Sequence, residues 1–209
     1  MKLLEVNNIS KSFHTGKLLE DVSFTVNSGS IVAVTGENGV GKSTLLNIII
    51  GLVKPDRGNI RISENFGFCP QEPLLFPRLT VNENLEYFRT AYGHKVCEKD
   101  RKGTRFDELF REFDFLGYKD KKVSILSGGT KQKLNLVISL LHDPDLMILD
   151  EPYASLDWNT YKKFWKYADE RKKEGKSILI VSHFMYSQSM IDELYIIKDY
   201  KLVCAQTIY

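Results

Sequence analysis

Nine residues limit the choice of fold more than any others. The segment GENGVGKST, residues 36–44, lies between an apolar run at 31–34 and an apolar helical stretch at 42–50 that Gly51 stops. It fits the pattern G-x-x-x-x-G-K-[ST]. A short run of Ile, Val and Ala bounded by turn signals reads as a buried strand. Gly36, Gly39 and Gly41 let the chain curl between strand and helix. Backbone N–H groups along the loop, those of Glu37, Asn38 and Val40 among them, can then point inward at one anion, and the helix adds its positive end.

Such a loop is expected to hold a nucleoside triphosphate. Lys42 is placed to bridge the β- and γ-phosphates, Ser43 to ligate Mg²⁺ through its hydroxyl, and Thr44 to reach the α-phosphate. The stretch LMILDEP, residues 146–152, supplies the complementary feature. It is an apolar strand with Asp150 at its carboxyl end, the edge where open α/β sheets bind ligands. Asp150 is expected to hold the hydration shell of Mg²⁺. Glu151 is expected to accept a proton from an attacking water or to hold that water in line.

Composition excludes several classes. With 43% hydrophobic and 27% charged residues over 209 positions, the chain has ordinary globular make-up and is long enough to bury a real core. A formal net charge of +2 makes no general case for nucleic acid. The basic run Lys162, Lys163, Lys166, Arg171, Lys172, Lys173 and Lys176 is interspersed with Trp165, Tyr167, Asp169 and Glu170 and reads as a solvated helix face. Cys69, Cys97 and Cys204 are odd in number and scattered, with no CxxC pair. That argues against a disulfide framework or structural zinc and fits a reducing cytoplasm. MKLLEVNNIS reads as a strand, with no apolar core of a signal peptide. Residues 45–53, broken by Asn47, fall far short of the about 20 a membrane span needs. Any membrane role is expected to come through another chain.

Strands are expected at 3–6, 22–26, 31–34 and 59–62, with a turn at 55–58. Thr80 and Glu83 form a capping box opening a helix to about Tyr92. A loop is expected over 93–104 and a second helix over 106–116, ending at Gly117. Strand and helix then alternate: strand 146–149, helix 158–174, strand 177–181, a short helix 184–191, and strands 194–198 and 202–205. Such alternation argues for a mainly parallel sheet with helices on both faces.

In this order the motifs resemble the nucleotide-binding domain of ATP-binding cassette (ABC) ATPases. Gln71 in FCPQEP matches that family's Q-loop. LSGGT (126–130) matches its signature, ASLD (154–157) its D-loop, and His183 in VSH its switch histidine. Phe13 in SKSF stands where the family stacks an aromatic on adenine; the less favoured alternative is a core or edge-strand aromatic. The resemblance spans essentially the whole chain. It implies an α/β P-loop NTPase with a mainly parallel core sheet, an N-terminal antiparallel β subdomain and an inserted α-helical subdomain. The single domain covers 1–209, with core and β subdomain from 1–70 and 134–209 and the helical subdomain from 71–133.

The resemblance also implies ATP and Mg²⁺ as cofactors and ATP hydrolysis as the reaction. Gln71 would sense Mg²⁺ and the lytic water. His183 would hold the γ-phosphate and orient Glu151. Asp157 would cross a dimer interface. Two cassettes of the family meet head to tail, so Ser127 of one would hydrogen-bond the γ-phosphate held by the other. Gly128 and Gly129 lack Cβ atoms and let backbone approach that phosphate. Two glycines at a helix start cost roughly 1–2 kcal/mol of helix propensity, offset when ATP closes the dimer.

Three departures stand out. Thr130 replaces the usual Gln. The span 57–71 is short, implying a trimmed antiparallel β hairpin. The sequence ends soon after His183, so no regulatory C-terminal domain is expected. The stretch PLLFPRLTVNENLEYFRTAYG resembles ABC-2 class efflux ATPases that pair with separate membrane subunits. The expected partners are ATP, a second ABC ATPase subunit and a transmembrane permease subunit docked on the helical subdomain; nucleic acid is not expected. Leu74, Leu75, Phe76 and Leu79 suit a docking groove and equally a subdomain core. The expected setting is cytoplasmic, on the inner face of the cell membrane through the permease. The expected function is export of a drug, antimicrobial peptide, lipid or polysaccharide. The alternative is a soluble ABC ATPase in cofactor assembly or on nucleic acid or ribosomes. A binding module without hydrolysis is disfavoured by the presence of both Glu151 and His183.

Overall fold

Alternation along three strands decides the layers. In β3 (Ile31–Thr35), Ile31 and Ala33 enter the hydrophobic cluster on one face of the sheet, Val32 and Val34 that on the other. The same division holds in β6 (Leu146–Asp150) and β7 (Ser177–Val181). Strands apolar on both faces must be covered on both. The computed structural model, which describes residues 1–92, 104–152, 156–183 and 188–207, supplies both covers.

Among the described residues the core sheet has the order β5-β6-β7-β3-β8-β9, completed by β5 (Phe66–Cys69), β8 (Glu193–Lys198) and β9 (Lys201–Thr207). Neighbours run parallel except β8 and β9. One face carries α1 (Lys42–Ile49) and a three-stranded antiparallel sheet of order β2-β1-β4. These strands are β1 (Lys2–Phe13), β2 (Gly16–Asn27) and β4 (Arg57–Ile62). The other face carries α2 (Val81–Tyr92), α3 (Thr104–Glu112), α4 (Gly128–Leu140) and α5 (Trp158–Lys173). The α/β P-loop architecture expected from the motifs is the one observed.

Several elements differ from expectation for identifiable reasons. β1 and β2 are far longer than 3–6 and 22–26, because their ladder absorbs irregularities: Asn8 and Asp21 both sit at φ 49 where the register shifts. β5 was not expected at all, being four residues with Gly67 inside. The second helix starts at Thr104 and stops at Glu112 rather than running over 106–116. Asp114 turns the chain at φ 55, which lets Phe113 and Phe115 both enter the core, and a 3-10 turn, Leu116–Tyr118, follows. Of the loop expected over 93–104, residues 93–103 and with them Cys97 lie outside the described residues; Thr104 opens α3. Residues 184–187 of the short expected helix also lie outside, and Gln188–Met190 form a 3-10 turn. The capping box forms: Thr80 N–H donates to Glu83 Oε2 (2.7 Å) and Glu83 N–H to Thr80 Oγ1 (3.1 Å). α4 runs unbroken through the subdomain boundary expected at 133/134.

The basic run on and after α5 is engaged within the chain. Lys163 pairs with Asp114, Arg171 with Asp143, Lys172 with Asp192, Lys173 with Asp169, and Lys176 with Asp145. Such pairing leaves little uncompensated positive potential on that face.

Candidate functional site

Four contiguous parallel strands, β5-β6-β7-β3, direct their carboxyl ends to one edge of the sheet. β3 feeds the 36–44 loop and β6 ends in Asp150. Ser182 and His183 follow β7, and Gln71 lies two residues beyond β5. There a cleft of about 390 Å³ is lined by Asn38, Gly39, Gly41, Lys42, Ser43 and Thr44, by Gln71, Glu151 and His183, and by Leu18 of β2. Residues from Leu18 to His183 thus share one cavity because their strands are neighbours. Leu18 was not singled out from the sequence; the alternation of β2 gave no reason to separate it from core leucines.

Gly41 caps α1 at φ 110, and a Cβ there would lie 3.0 Å from Leu18 and 3.1 Å from Leu19. The left-handed backbone favours glycine at this point, and a larger residue would also have to push the two leucine side chains aside. Lys42 is buried, and its Nζ donates to Gly36 O (2.7 Å) and Glu37 O (3.0 Å), two of its three N–H donors. This holds the ammonium in the cradle of the loop.

Asp150 and Glu151 are adjacent yet differently placed. Burial, and then the charge of Glu151, push the Asp150 carboxyl up from 3.8 to about 6 against the opposing pull of Lys42 and Ser43. Its Oδ1 is buried with no hydrogen-bond partner among the described residues. A partnerless carboxylate oxygen beside a serine hydroxyl is a donor set that suits a hard divalent cation. Glu151 takes a left-handed φ of 47, its N–H bonded to Val181 O at 2.8 Å. The carboxylate turns to the end of β7. Oε1 accepts from His183 N–H (2.9 Å), and Oε2 accepts from the Ser182 hydroxyl (2.9 Å) and lies 2.7 Å from His183 Nδ1. Strained backbone at such a point persists only when its surroundings over-determine it, as these bonds do. Ser182 was missed from the sequence, although a hydroxyl beside His183 at a strand end is a usable signal.

Other candidates lie elsewhere. Gly36, Glu37 and Val40 border a second cavity of about 600 Å³ closed by the β8–β9 turn at Asp199 and Tyr200. Phe13, half exposed at the end of β1, has Lys11 Nζ 5.3 Å from its ring centroid and does not line the first cleft. Ser127 caps α4: its Oγ accepts from Thr130 N–H (3.2 Å) and lies 2.8 Å from Thr130 Oγ1. Neither Ser127, Gly128, Gly129 nor Asp157 lines the cleft. A Cβ on Gly128 would meet nothing within 4 Å among the described residues, so no contact among them accounts for that glycine. Asp157 caps α5, accepting from the N–H groups of Asn159 and Thr160 (3.0 Å each) and from the Thr160 hydroxyl (2.7 Å). These bonds, the Thr160 hydroxyl first, hold its carboxyl below the usual range. Residues 154 and 155 of the ASLD segment lie outside the described residues. Within the apolar cluster, Leu75 packs on the core while Leu74 and Phe76 are exposed. Leu74 borders a groove of about 360 Å³ with Phe66, Phe68, Phe88 and Tyr92.

A family model described as ABC transporter matches residues 19–154. The chain belongs to the ABC transporter family. This ABC chain is 31% identical to the lipopolysaccharide export system ATP-binding protein LptB of Haemophilus influenzae, over 99% of its own length and 91% of that protein. It is 28% identical to ABC transporter G family member 20 of Dictyostelium discoideum over 96% of its length, but spans only 29% of that relative. A solved ATP-binding subunit of an ABC transporter matches with a TM-score of 0.88 and 32% identity, covering 97% of this chain and 90% of that one. The chain is therefore an ABC ATP-binding domain and an ATPase. Among the described residues no helix is long and apolar enough to cross a membrane.

Proposed function

We propose that this ABC ATPase powers a membrane exporter through an ATP-dependent, head-to-tail dimer. One observation carries the reading: the cleft gathers Lys42, Gln71, Glu151 and His183, while Ser127 and Gly128 lie outside it, and among the described residues nothing packs where a Cβ on Gly128 would stand. A second subunit is then the source of the missing γ-phosphate contact, each chain giving its 127–129 segment to the other's cleft. The export direction is supported by similarity to a subunit named for an export system. The groove beside Leu74 is the proposed seat of a separate permease, which would hold the chain at the inner face of the membrane.

In the proposed reaction the 36–44 loop and Lys42 bind the triphosphate, with Phe13 against the adenine. Ser43, Asp150 and Gln71 are the residues that would hold Mg²⁺, which would supply charge neutralisation to the triphosphate. Glu151 takes a proton from water as the water oxygen bonds to the γ-phosphorus. The bond from that phosphorus to the bridging oxygen breaks, releasing ADP and phosphate. His183 holds Glu151 through the 2.7 Å contact and reaches toward the γ-phosphate. Asp157 stiffens the start of α5 at the proposed dimer face. The helical insertion, 71–133, is the proposed docking subdomain.

The test uses tagged Glu151→Gln protein with Mg²⁺ and ATP, first in size-exclusion chromatography and then as bait in detergent-solubilised membranes. An ATP-dependent dimer and recovery of a multi-span membrane protein are expected. A persistent monomer counts against the shared site. Recovery of soluble partners or ribosomes alone overturns the exporter reading and leaves the ATPase standing.

A further inference from the structure

α4 carries the Ser127 segment at its start, yet its buried half is bonded to a different element. Asn135 and Ser139, four apart, share one face of α4, and His142 follows two residues past its end. All three meet β5, an edge strand whose ladder partner is β6. His142 Nε2 lies 3.0 Å from Phe66 O. Gly67 passes so close that a Cβ there would be 2.2 Å from Ser139 O. Asn135 Nδ2 donates to Pro70 O at 2.8 Å and lies 3.3 Å from Cys69 Sγ.

The last of these bonds is chemically the most specific. Asn135 is 4% exposed and flanked by the buried Leu134, Leu136 and Val137. A buried amide in a helix interior carries a propensity and desolvation cost that a leucine would not, so packing alone gives no reason for it. Its acceptor is the carbonyl of Pro70. That oxygen belongs to the same planar peptide unit as the nitrogen of Gln71. Anchoring it fixes the direction in which the chain leaves β5 and so where Gln71 enters the cleft. Asn135 lies eight residues from Ser127, about 12 Å along a continuous helix. A displacement at the helix start therefore reaches the Pro70–Gln71 peptide through a rigid element and one short hydrogen bond.

We propose that Asn135 is a positioning residue that couples the start of α4 to Gln71. The proposal rests on Gln71 acting in the cleft during hydrolysis. A double-mutant cycle tests it on the full chain, with kcat and KM for ATP hydrolysis measured for Asn135→Leu, Gln71→Ala and the pair, and thermal melts alongside. Asn135→Leu keeps the shape and removes the donor. It is expected to lower kcat about 10-fold with KM within about 2-fold. The pair is expected to be no worse than Gln71→Ala alone, because one residue acts through the other. Multiplying effects, or an unchanged kcat in Asn135→Leu, overturn the coupling. An unchanged kcat in Gln71→Ala alone overturns the role of Gln71 and the coupling with it, and is read separately on that single variant. Asn135→Ala is carried in parallel, so that a folding defect of the leucine variant does not decide the result.

Discussion

Glu151 Oε2 lies 2.7 Å from His183 Nδ1, and the same carboxylate accepts the backbone N–H of His183. The two residues follow the ends of strands β6 and β7, which pair in register through Asp150 and Val181. Sheet pairing therefore sets the distance between the proposed base and the residue that orients it. Glu151→Gln keeps the shape and removes the proton acceptor. It is expected to lower kcat by roughly 10²–10⁴-fold while nucleotide affinity changes little, and His183→Ala should fall in the same direction. Steady-state hydrolysis with nucleotide titration checks both. Full turnover in Glu151→Gln would remove the base from the mechanism.

Lys42 is held by two loop carbonyls, so its charge is already aimed before phosphate arrives. Lys42→Ala removes a charge-assisted contact of roughly 1.5–3 kcal/mol, about 10- to 100-fold in affinity. Calorimetry with ATP reads this directly. Wild-type affinity in the variant would refute the loop's assignment as the phosphate cradle.

Gly128 separates folding from function. Because a Cβ there touches nothing, Gly128→Ala is expected to stabilise the isolated chain by up to about 1 kcal/mol through helix propensity. If the backbone at 128 meets the partner's γ-phosphate, the same change lowers ATPase activity. A higher Tm with reduced hydrolysis is the expected pair of results. A higher Tm with intact hydrolysis speaks against contact at that glycine.

Asp150 gives a pH-dependent prediction. Its carboxyl titrates near 6 in the fold against 3.8 otherwise, so the folded state binds this proton more tightly. Stability is then lost as pH rises through that interval, and the whole cost is present above it. Asp150→Asn, studied without metal or nucleotide, is expected to raise stability by roughly 1–3 kcal/mol near pH 7.5 and by little near pH 4. Hydrolysis should be lost. Equal gains in Tm at both pH values would sink this account of the buried charge.

Much of this protein was determined by local sequence, because the governing forces there are local. The glycines and Lys42 of the 36–44 loop, the apolar runs of β3, β6 and β7, and the Thr80–Glu83 capping box follow from backbone freedom, burial period and short-range hydrogen bonding. Each of those acts within a few residues. What tertiary structure alone decided involves groups distant in sequence. The 2.7 Å approach of Glu151 to His183 depends on β6 lying beside β7. β5, only four residues with a glycine inside, is held as a strand because β6 pairs with it and α4 covers it. The turn at Asp114 ends α3 because two phenylalanines gain burial by it. Asn135 is an unremarked amide in sequence; its meaning comes from the Pro70 carbonyl that packing brings to 2.8 Å. Local patterns fix what each segment can become, and long-range packing free energy selects which distant groups then meet.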